Sequence, residues 1–321
     1  MARIRITIPF MRNPASPTIR KRVLRGLALN REPGFHFAGN FLGVSFDAIT
    51  PAQSRVSLES GPHCEEADGQ VNLGAVALLA DIALAGAIRG HLAPEQRLAT
   101  VSMHLQFTGA PLRGHLEATG FFEGFLAGGS GRQGLSRVAV MSGGRKALYG
   151  SGAFMALDPP PGVAMHPVVR PVRHDVPALT ERELTEGEAA ILRRADEALA
   201  KASPRHSFIR RFWGQDPRAT ATGAACTMDN GAHIGNRVGH AQGGLLVGLA
   251  GTTAMAALPA SWMLSGISAW FTSPGEGPAM KAKSRVVHHG RLTAVVRTEI
   301  TGKDRRRVLE AVTTHALRQH G

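Results

Sequence analysis

An apolar, glycine-rich segment occurs twice in this chain of 321 residues. The first copy, GQVNLGAVALLADIALAGA, starts at Gly69 and the second, GHAQGGLLVGLAGTTAMAA, at Gly239, so the offset is 239 − 69 = 170 residues. A second match, FTGAPLRG (107–114) with FTSPGEG (271–277), follows in the same order. Similar segments that recur in the same order indicate duplicated structural units, and a chain of this length can form two hydrophobic cores.

The pattern inside each copy predicts an α+β unit. The segment Leu73 to Ile88 is apolar almost all round, which is typical of a helix buried on most faces. Alternating polar and apolar residues predict strands at Thr100 to Phe107 and at Leu292 to Ile300, and one or two more within Leu42 to Leu58. Each unit is therefore expected to be a long central helix wrapped by a curved antiparallel sheet.

These elements divide the chain into four parts. The expected divisions are an N-terminal arm (1–34), a first domain (35–157), a Pro-rich linker with a helix (158–204) and a second domain (205–321). The linker helix is predicted from Thr180 to Ala202, with Thr180 as its N-cap and Glu183 completing a capping box.

The net charge of +13 leaves three interpretations open. The basic residues can form a solvated surface, attract a small anion such as coenzyme A, or bind nucleic acid. An aromatic content of 5% and the absence of a zinc-finger spacing disfavour nucleic acid. Lys281, Lys283 and Arg285 alternate along one segment, so a strand would place them on one face, where they could hold the phosphates of coenzyme A.

Cysteine usage and hydropathy predict a cytoplasmic protein with no membrane span. Cys64 and Cys226 form neither a CxxC pair nor a metal-ligand cluster, which favours free thiols in a reducing compartment and no metal site. The segment 69–88 contains an acid, and 238–275 is broken by Pro259, so core helices explain both better than membrane spans. The first residues contain no long apolar run that would direct secretion.

Asp81 is the most informative residue of the chain. It is the only ionisable side chain between Asp68 and Arg89, and it interrupts an apolar helix. Burying a lone carboxylate is costly, so its position favours a general base or nucleophile in a dry cleft. The alternative is a structural Asp that hydrogen-bonds a loop or faces solvent.

The start of the second helix is the other candidate feature. Gly243 and Gly244 fall in its first turn, where unpaired backbone N–H groups carry partial positive charge. Glycine lets a carbonyl oxygen approach such N–H groups closely, as an oxyanion hole requires. A Gly pair alone is more often a packing feature.

Together these residues resemble the phenylacetyl-CoA thioesterase-like branch of the hotdog-fold thioesterases. That branch has Asn-x5-His-Gly-Gly leading into the helix, an Asp nine residues after the His, and a Ser or Thr opening the next strand. Here Asn72 takes the His position, since 72 + 9 = 81 is the acid, and Thr100 matches the strand hydroxyl one residue further along. In the second copy Asn236 and Gln242 are six apart and Gly243 follows, but Gly251 replaces the acid.

The resemblance implies a tandem hotdog protein that hydrolyses acyl-CoA without a metal or redox cofactor. Hotdog domains of this family pair so that each site takes its acid from one unit and its Asn, His-position residue and Gly N–H from the other. The expected single site is therefore Asp81 and Thr100 facing Asn236, Gln242 and Gly243, with Gly244, His240 and Asn72 as further substrate contacts. The resemblance also implies a homo-oligomer, a dimer of such chains.

Two other functions remain open. A hotdog hydratase or dehydratase would need a His paired with the acid, and no His falls at that spacing from Asp81. A non-catalytic protein that binds acyl-CoA is compatible with the missing acid in the second copy.

Overall fold

The computed structural model describes residues 16–128, 132–159, 161, 175–203 and 206–318. Within these ranges it contains six α-helices: α1 (Ser16–Asn30), α2 (Phe37–Leu42), α3 (Leu73–Arg89), α4 (Glu186–Lys201), α5 (Phe208–Trp213) and α6 (Gly243–Met255). It also contains twelve strands: β1 (Ser45–Ile49), β2 (Gln53–Glu59), β3 (Arg97–Phe107), β4 (His115–Phe125), β5 (Gln133–Ser142), β6 (Arg145–Leu157), β7 (Arg218–Thr220), β8 (Gly223–Asp229), β9 (Trp262–Phe271), β10 (Ala279–His289), β11 (Thr293–Thr301) and β12 (Arg307–Leu317).

All twelve strands belong to one antiparallel sheet. Their order is β1-β2-β4-β5-β6-β3-β9-β12-β11-β10-β8-β7, so the second half repeats the strand order of the first in reverse. The two halves join where β3 pairs with β9, from Ser102 opposite Trp270 to Gln106 opposite Gly266. The fold is therefore an intrachain pseudo-dimer of two α+β units, as the repeat predicts.

The helices α3 and α6 pack against each other, and each also packs against the strands of its own half. Glycines bring their backbones into direct contact. A Cβ atom added at Gly248 would lie 2.3 Å from the Cα of Gly74, and one at Gly244 would lie 2.5 Å from the Cα of Leu78. This contact fixes the position of one helix relative to the other.

The apolar composition of α3 follows from this position between sheet and partner helix. Fourteen of its 17 residues are buried. No helix in the described part of the chain is long and apolar enough to cross a membrane. The predicted helix is confirmed to within one residue, and Leu42 to Leu58 contains two strands, β1 and β2.

The structural repeat begins earlier than the sequence repeat. Helices α1 and α4 precede equivalent short helices, α2 and α5, and each holds its short helix through the same contact. Arg22 Nε donates to the carbonyl oxygen of Phe41 at 2.8 Å, and Arg194 Nε donates to that of Phe212 at 2.7 Å. The elements shared by the two units thus start upstream of the divisions at 35 and 205 suggested by the sequence.

The prediction of one linker helix from Thr180 to Ala202 is wrong. Thr180 begins a separate 3-10 turn, Glu181–Glu183, and α4 starts only at Glu186. The capping box of Thr180 and Glu183 is present, with the Thr180 N–H donating to Glu183 Oε2 at 2.7 Å. A second capping box, formed by Thr185 and Glu188, starts the helix proper.

Because α3 and α6 are in backbone contact, adding a single methyl group between them should destabilise the fold. Gly248→Ala should lower the free energy of unfolding by about 1–3 kcal/mol, because the added Cβ meets backbone that cannot move aside. Gly187→Ala is the control, since a Cβ there meets nothing within 4 Å. Chemical denaturation would measure both, and equal stability of the two variants would contradict close packing of the helices.

Candidate active site

The carboxyl group of Asp81 receives hydrogen bonds from both halves of the chain. Asp81 lies in the middle of α3 and is 5% exposed. Gln242 Nε2 donates to its Oδ2 at 2.8 Å, and Thr100 Oγ1 donates to its Oδ1 at 3.2 Å. The three side chains thus come from α3, β3 and the residue before α6, and the helix contact brings them together.

Gln242 has two roles in this arrangement. It is the N-cap of α6, and its Oε1 accepts the N–H of Leu245 at 3.2 Å. Because its oxygen is engaged there, its amide nitrogen is directed at the acid. The backbone N–H of Gly244 also acts to lower the pKa of Asp81.

Gly243 completes the start of α6. Among the described residues its backbone N–H has no hydrogen-bond acceptor. A Cβ atom at this position would lie 3.1 Å from Thr100 Oγ1 and 3.4 Å from Asp81 Oδ2, so glycine leaves open space beside the acid. An unpaired N–H at a helix N-terminus is suited to hold an oxygen atom that gains negative charge.

Burial determines the protonation behaviour of the acid. Removal from water raises the pKa of Asp81 to about 6, although the hydrogen bonds from Gln242, Thr100 and Gly244 act in the opposite direction. At neutral pH the carboxylate is ionised, with a basicity above that of an ordinary Asp. This is a suitable range for a general base.

The acid opens into a cavity of about 480 Å³ lined by both halves. Its volume is in the range of small-molecule sites. One part of the wall is apolar and consists of Phe35, Phe46, Ile49, Ile82, Leu98 and Phe154. The residues Thr100, Asn236, His240, Gln242 and Gly243 predicted from the sequence also line it.

Asn236 and His240 line the cavity without contacting Asp81. Asn236 Oδ1 accepts the N–H groups of Val238 and His240, both at 3.0 Å, and so shapes the loop before α6. His240 Nε2 lies 3.2 Å from Glu276 Oε1. No described His donates to Asp81, so the pairing of acid and His needed for a hydratase is not formed by these residues.

The start of α3 is equivalent to the start of α6, but the space beside it is filled by a side chain. Asn72 caps α3 by accepting the N–H of Gly74 at 2.8 Å and donates to Glu66 Oε1 at 2.6 Å. A Cβ at Gly251 would lie 2.5 Å from Leu73 Cδ2, so Leu73 occupies the space beside the missing acid. Asn72 is fully buried and does not line the cavity around Asp81.

The three basic residues of β10 lie elsewhere. Lys281, Lys283 and Arg285 are exposed on one face of the strand, as their alternation predicts, and none of them lines the cavity. Their contact with coenzyme A phosphates stays a prediction. The sequence did not identify Arg89, Arg97 and Arg237, which do line the cavity.

Neither thiol belongs to the site. Cys64 and Cys226 are free and buried, and burial raises the pKa of Cys64 to about 12 and that of Cys226 to about 11. Among the described residues no group of three His, Cys, Asp or Glu side chains could hold a metal ion.

Comparisons with known proteins identify the fold. No protein-family profile matches the chain, and no curated protein sequence matches it. Among solved structures, one assigned as an oleoyl thioesterase from Lactobacillus plantarum is 10% identical, covers 87% of this chain and 100% of its own, and has a TM-score of 0.53. A conserved protein of unknown function with the hotdog fold from Alicyclobacillus acidocaldarius is 11% identical, with coverages of 87% and 96% and a TM-score of 0.51.

A third similar structure is the 12:0-ACP thioesterase from Umbellularia californica, at 10% identity, coverages of 83% and 94% and a TM-score of 0.50. At such identities the likeness establishes architecture alone. The chain has the α+β hotdog fold, with two units in one polypeptide.

The raised pKa predicts that Asp81 destabilises the fold at neutral pH. A carboxyl group whose pKa is higher in the folded than in the unfolded state binds its proton more tightly when folded, so its ionisation costs stability as pH rises through both values. Asp81→Asn should therefore raise the free energy of unfolding at pH 8 by about 1–3 kcal/mol, and the gain should vanish towards pH 4.

Denaturation at the two pH values measures this difference. Asp47→Asn is the matched control, because Asp47 is exposed on β1 and should show no such gain. A loss of stability in Asp81→Asn at pH 8 would mean that the ionised carboxylate holds the fold together.

Proposed function

We propose that the protein hydrolyses the thioester bond of an acyl-CoA in the cavity at Asp81. The observation that carries this proposal is the position of a buried carboxylate of one half beside the unpaired Gly243 N–H of the other. A hydrolytic site needs these two functions, a base and a donor for the developing oxyanion. The fold supports the proposal by its occurrence in proteins that are named thioesterases.

In the proposed reaction the acyl carbonyl oxygen accepts the N–H of Gly243. This hydrogen bond strengthens as the carbonyl carbon becomes tetrahedral and negative charge develops on the oxygen. The N-terminus of α6 adds the favourable partial charge of its first turn. A side chain at Gly243 would occupy the space that the thioester needs.

Asp81 activates the attacking group. As a general base it takes a proton from water while the water oxygen attacks the carbonyl carbon, and the carbon–sulfur bond then breaks to release the thiolate of coenzyme A, which is protonated. As a nucleophile it would instead attack the carbonyl carbon and displace the thiolate of coenzyme A, and water would then cleave the resulting anhydride to release the acid and restore the Asp81 carboxylate. Thr100 and Gln242 hold the carboxylate in place in either case, and neither route needs a metal or redox cofactor.

One observation favours a second function, binding of acyl-CoA without hydrolysis. Both carboxyl oxygens of Asp81 already accept hydrogen bonds, so the acid could serve to hold α6 rather than to activate water. The two functions differ in one measurement, the release of free thiol from an acyl-CoA. Pairing of chains into a homodimer stays a prediction in both cases.

The acid provides the first test of hydrolysis. Asp81→Asn should lower kcat/KM by at least about a hundredfold, as expected for loss of a general base. In the wild-type protein kcat/KM should rise with pH through about 6 as Asp81 ionises, and then level off. Thiol release from a panel of acyl-CoA substrates measures both, and a folded Asp81→Asn variant with wild-type turnover would rule out this role.

The two N-cap residues test whether the site is shared between the halves. Gln242→Ala should lower kcat/KM and move the pH midpoint upwards, because it removes a hydrogen bond that lowers the pKa of Asp81. Asn72→Ala is the matched control. It removes the equivalent cap of α3 and costs about 1 kcal/mol of stability, but it should leave the pH profile unchanged.

A non-hydrolysable acyl-CoA analogue should bind with a stoichiometry near one per chain, since the position around Gly251 is filled by Leu73. If hydrolysis requires Asn72 but not Gln242, the model of a site shared between the halves is wrong.

A further inference from the structure

Three arginines line the cavity, and two of them, Arg89 and Arg237, lie close enough for their charges to interact. Arg89 is the last residue of α3, Arg97 is the first residue of β3, and Arg237 belongs to the loop before α6; all three line the cavity. Arg89 is 89 − 81 = 8 residues beyond the acid on the same helix, which corresponds to about 12 Å along the axis. Arg89 therefore lies at a defined distance from the reacting carbonyl of the proposed function.

Arg89 carries a positive charge that no described residue neutralises. Its guanidinium donates one hydrogen bond, to the carbonyl oxygen of Gln96, and no described carboxylate lies within ion-pair distance. Burial and the nearby charge of Arg237 lower its pKa to about 10, so it stays charged at neutral pH. Arg89 is half-buried; removing part of a cation's surface from water without a partner is costly, and a bound anion would offset that cost.

The cavity side of α3 between Asp81 and Arg89 is apolar. Ile82 and Ala85 precede Arg89 on the cavity side of α3, at spacings that place them on one helix face. Phe46 and Leu98 line the same cavity from β1 and β3. Such a wall fits a chain of methylene groups, whereas the pantetheine arm of coenzyme A contains two amides that would need polar partners.

We infer that the acyl group of the substrate ends in a carboxylate, which the cavity binds through Arg89. This inference rests on the proposed function, because the thioester at Asp81 sets where the acyl chain begins. The substrate class is an ω-carboxyacyl thioester of medium length. The planar guanidinium can offer two parallel N–H donors to a carboxylate.

The anion could instead be a phosphate of coenzyme A. The two sources share the same chemistry at Arg89 but differ in where the charge lies. A thioester of N-acetylcysteamine carries no phosphate, so with such compounds any effect of Arg89 must arise from the acyl group.

The test measures binding and does not depend on hydrolysis. Suberoyl and octanoyl N-acetylcysteamine thioesters have acyl chains of equal length, and only the first ends in a carboxylate. Calorimetry on the Asp81→Asn protein should show that the suberoyl thioester binds at least about tenfold more tightly than the octanoyl thioester, as expected for charge-assisted hydrogen bonds. Adding Arg89→Met should abolish this difference, and adding Arg89→Lys should retain part of it.

The control is Arg193→Met, which removes an exposed arginine on α4 that does not line the cavity; it should leave the preference intact. Equal binding of the two thioesters would overturn the inference, as would a preference that survives in folded Arg89→Met. An Arg89 effect found only with coenzyme A thioesters, and equal for both acyl chains, would overturn it in favour of a phosphate. Hydrolysis by the wild-type protein is measured separately, so failure of the proposed function and failure of this inference give different results.

Discussion

The backbone contact between α3 and α6 is the constraint on which the site depends. Asp81 belongs to one helix and Gly243 begins the other, so their separation is set by how closely the helices approach. Gly248 and Gly74 remove the side chains that would hold the helices apart. Once the helices are fixed, Gln242 can cap α6 and reach the acid with the same amide group.

Asp81 is charged at neutral pH, whereas the buried histidines His63 and His233 are not. His63 and His233 occupy equivalent positions in the two repeats, and burial lowers the pKa of each to about 3, so both are neutral at pH 7. Their contribution to stability is lost as pH falls below the pKa of an unfolded His. Asp81 instead remains ionised at pH 7 and accepts hydrogen bonds from Thr100 and Gln242. At pH 7 the buried Asp81 is therefore charged, whereas the two buried histidines are neutral.

The sequence was sufficient for the features that depend on local pattern. The repeat, the central helix and the isolation of Asp81 can be identified from the amino-acid sequence. The departures from the family pattern at Asn72 and Gly251 are complementary and predict a site shared between the halves. Other features depend on tertiary contacts and have no local signal. Arg89 ends a helix like many surface arginines, and its position in a cavity wall depends on residues of the other half, among them Arg237.

The equivalence of α1 and α4 is a second feature that the sequence did not predict. The helices α1 and α4 occupy equivalent places in the order of elements, but their residues share too little pattern to align. Their shared feature is one contact, made by Arg22 and by Arg194, to a carbonyl that belongs to another helix. A contact of this kind cannot be predicted from the amino-acid sequence, because any arginine could make it.

Joining the two units in one polypeptide has a genetic consequence. In a dimer of identical subunits every substitution appears in both copies, so a residue cannot be kept at one interface position and lost at its symmetric counterpart. Here Asp81 faces Gly243 on one side, while Gly251 faces Leu73 on the other. The fused gene can therefore keep a carboxylate beside a glycine on one side and fill the other side with a leucine, and each side can accumulate substitutions that its counterpart would not tolerate.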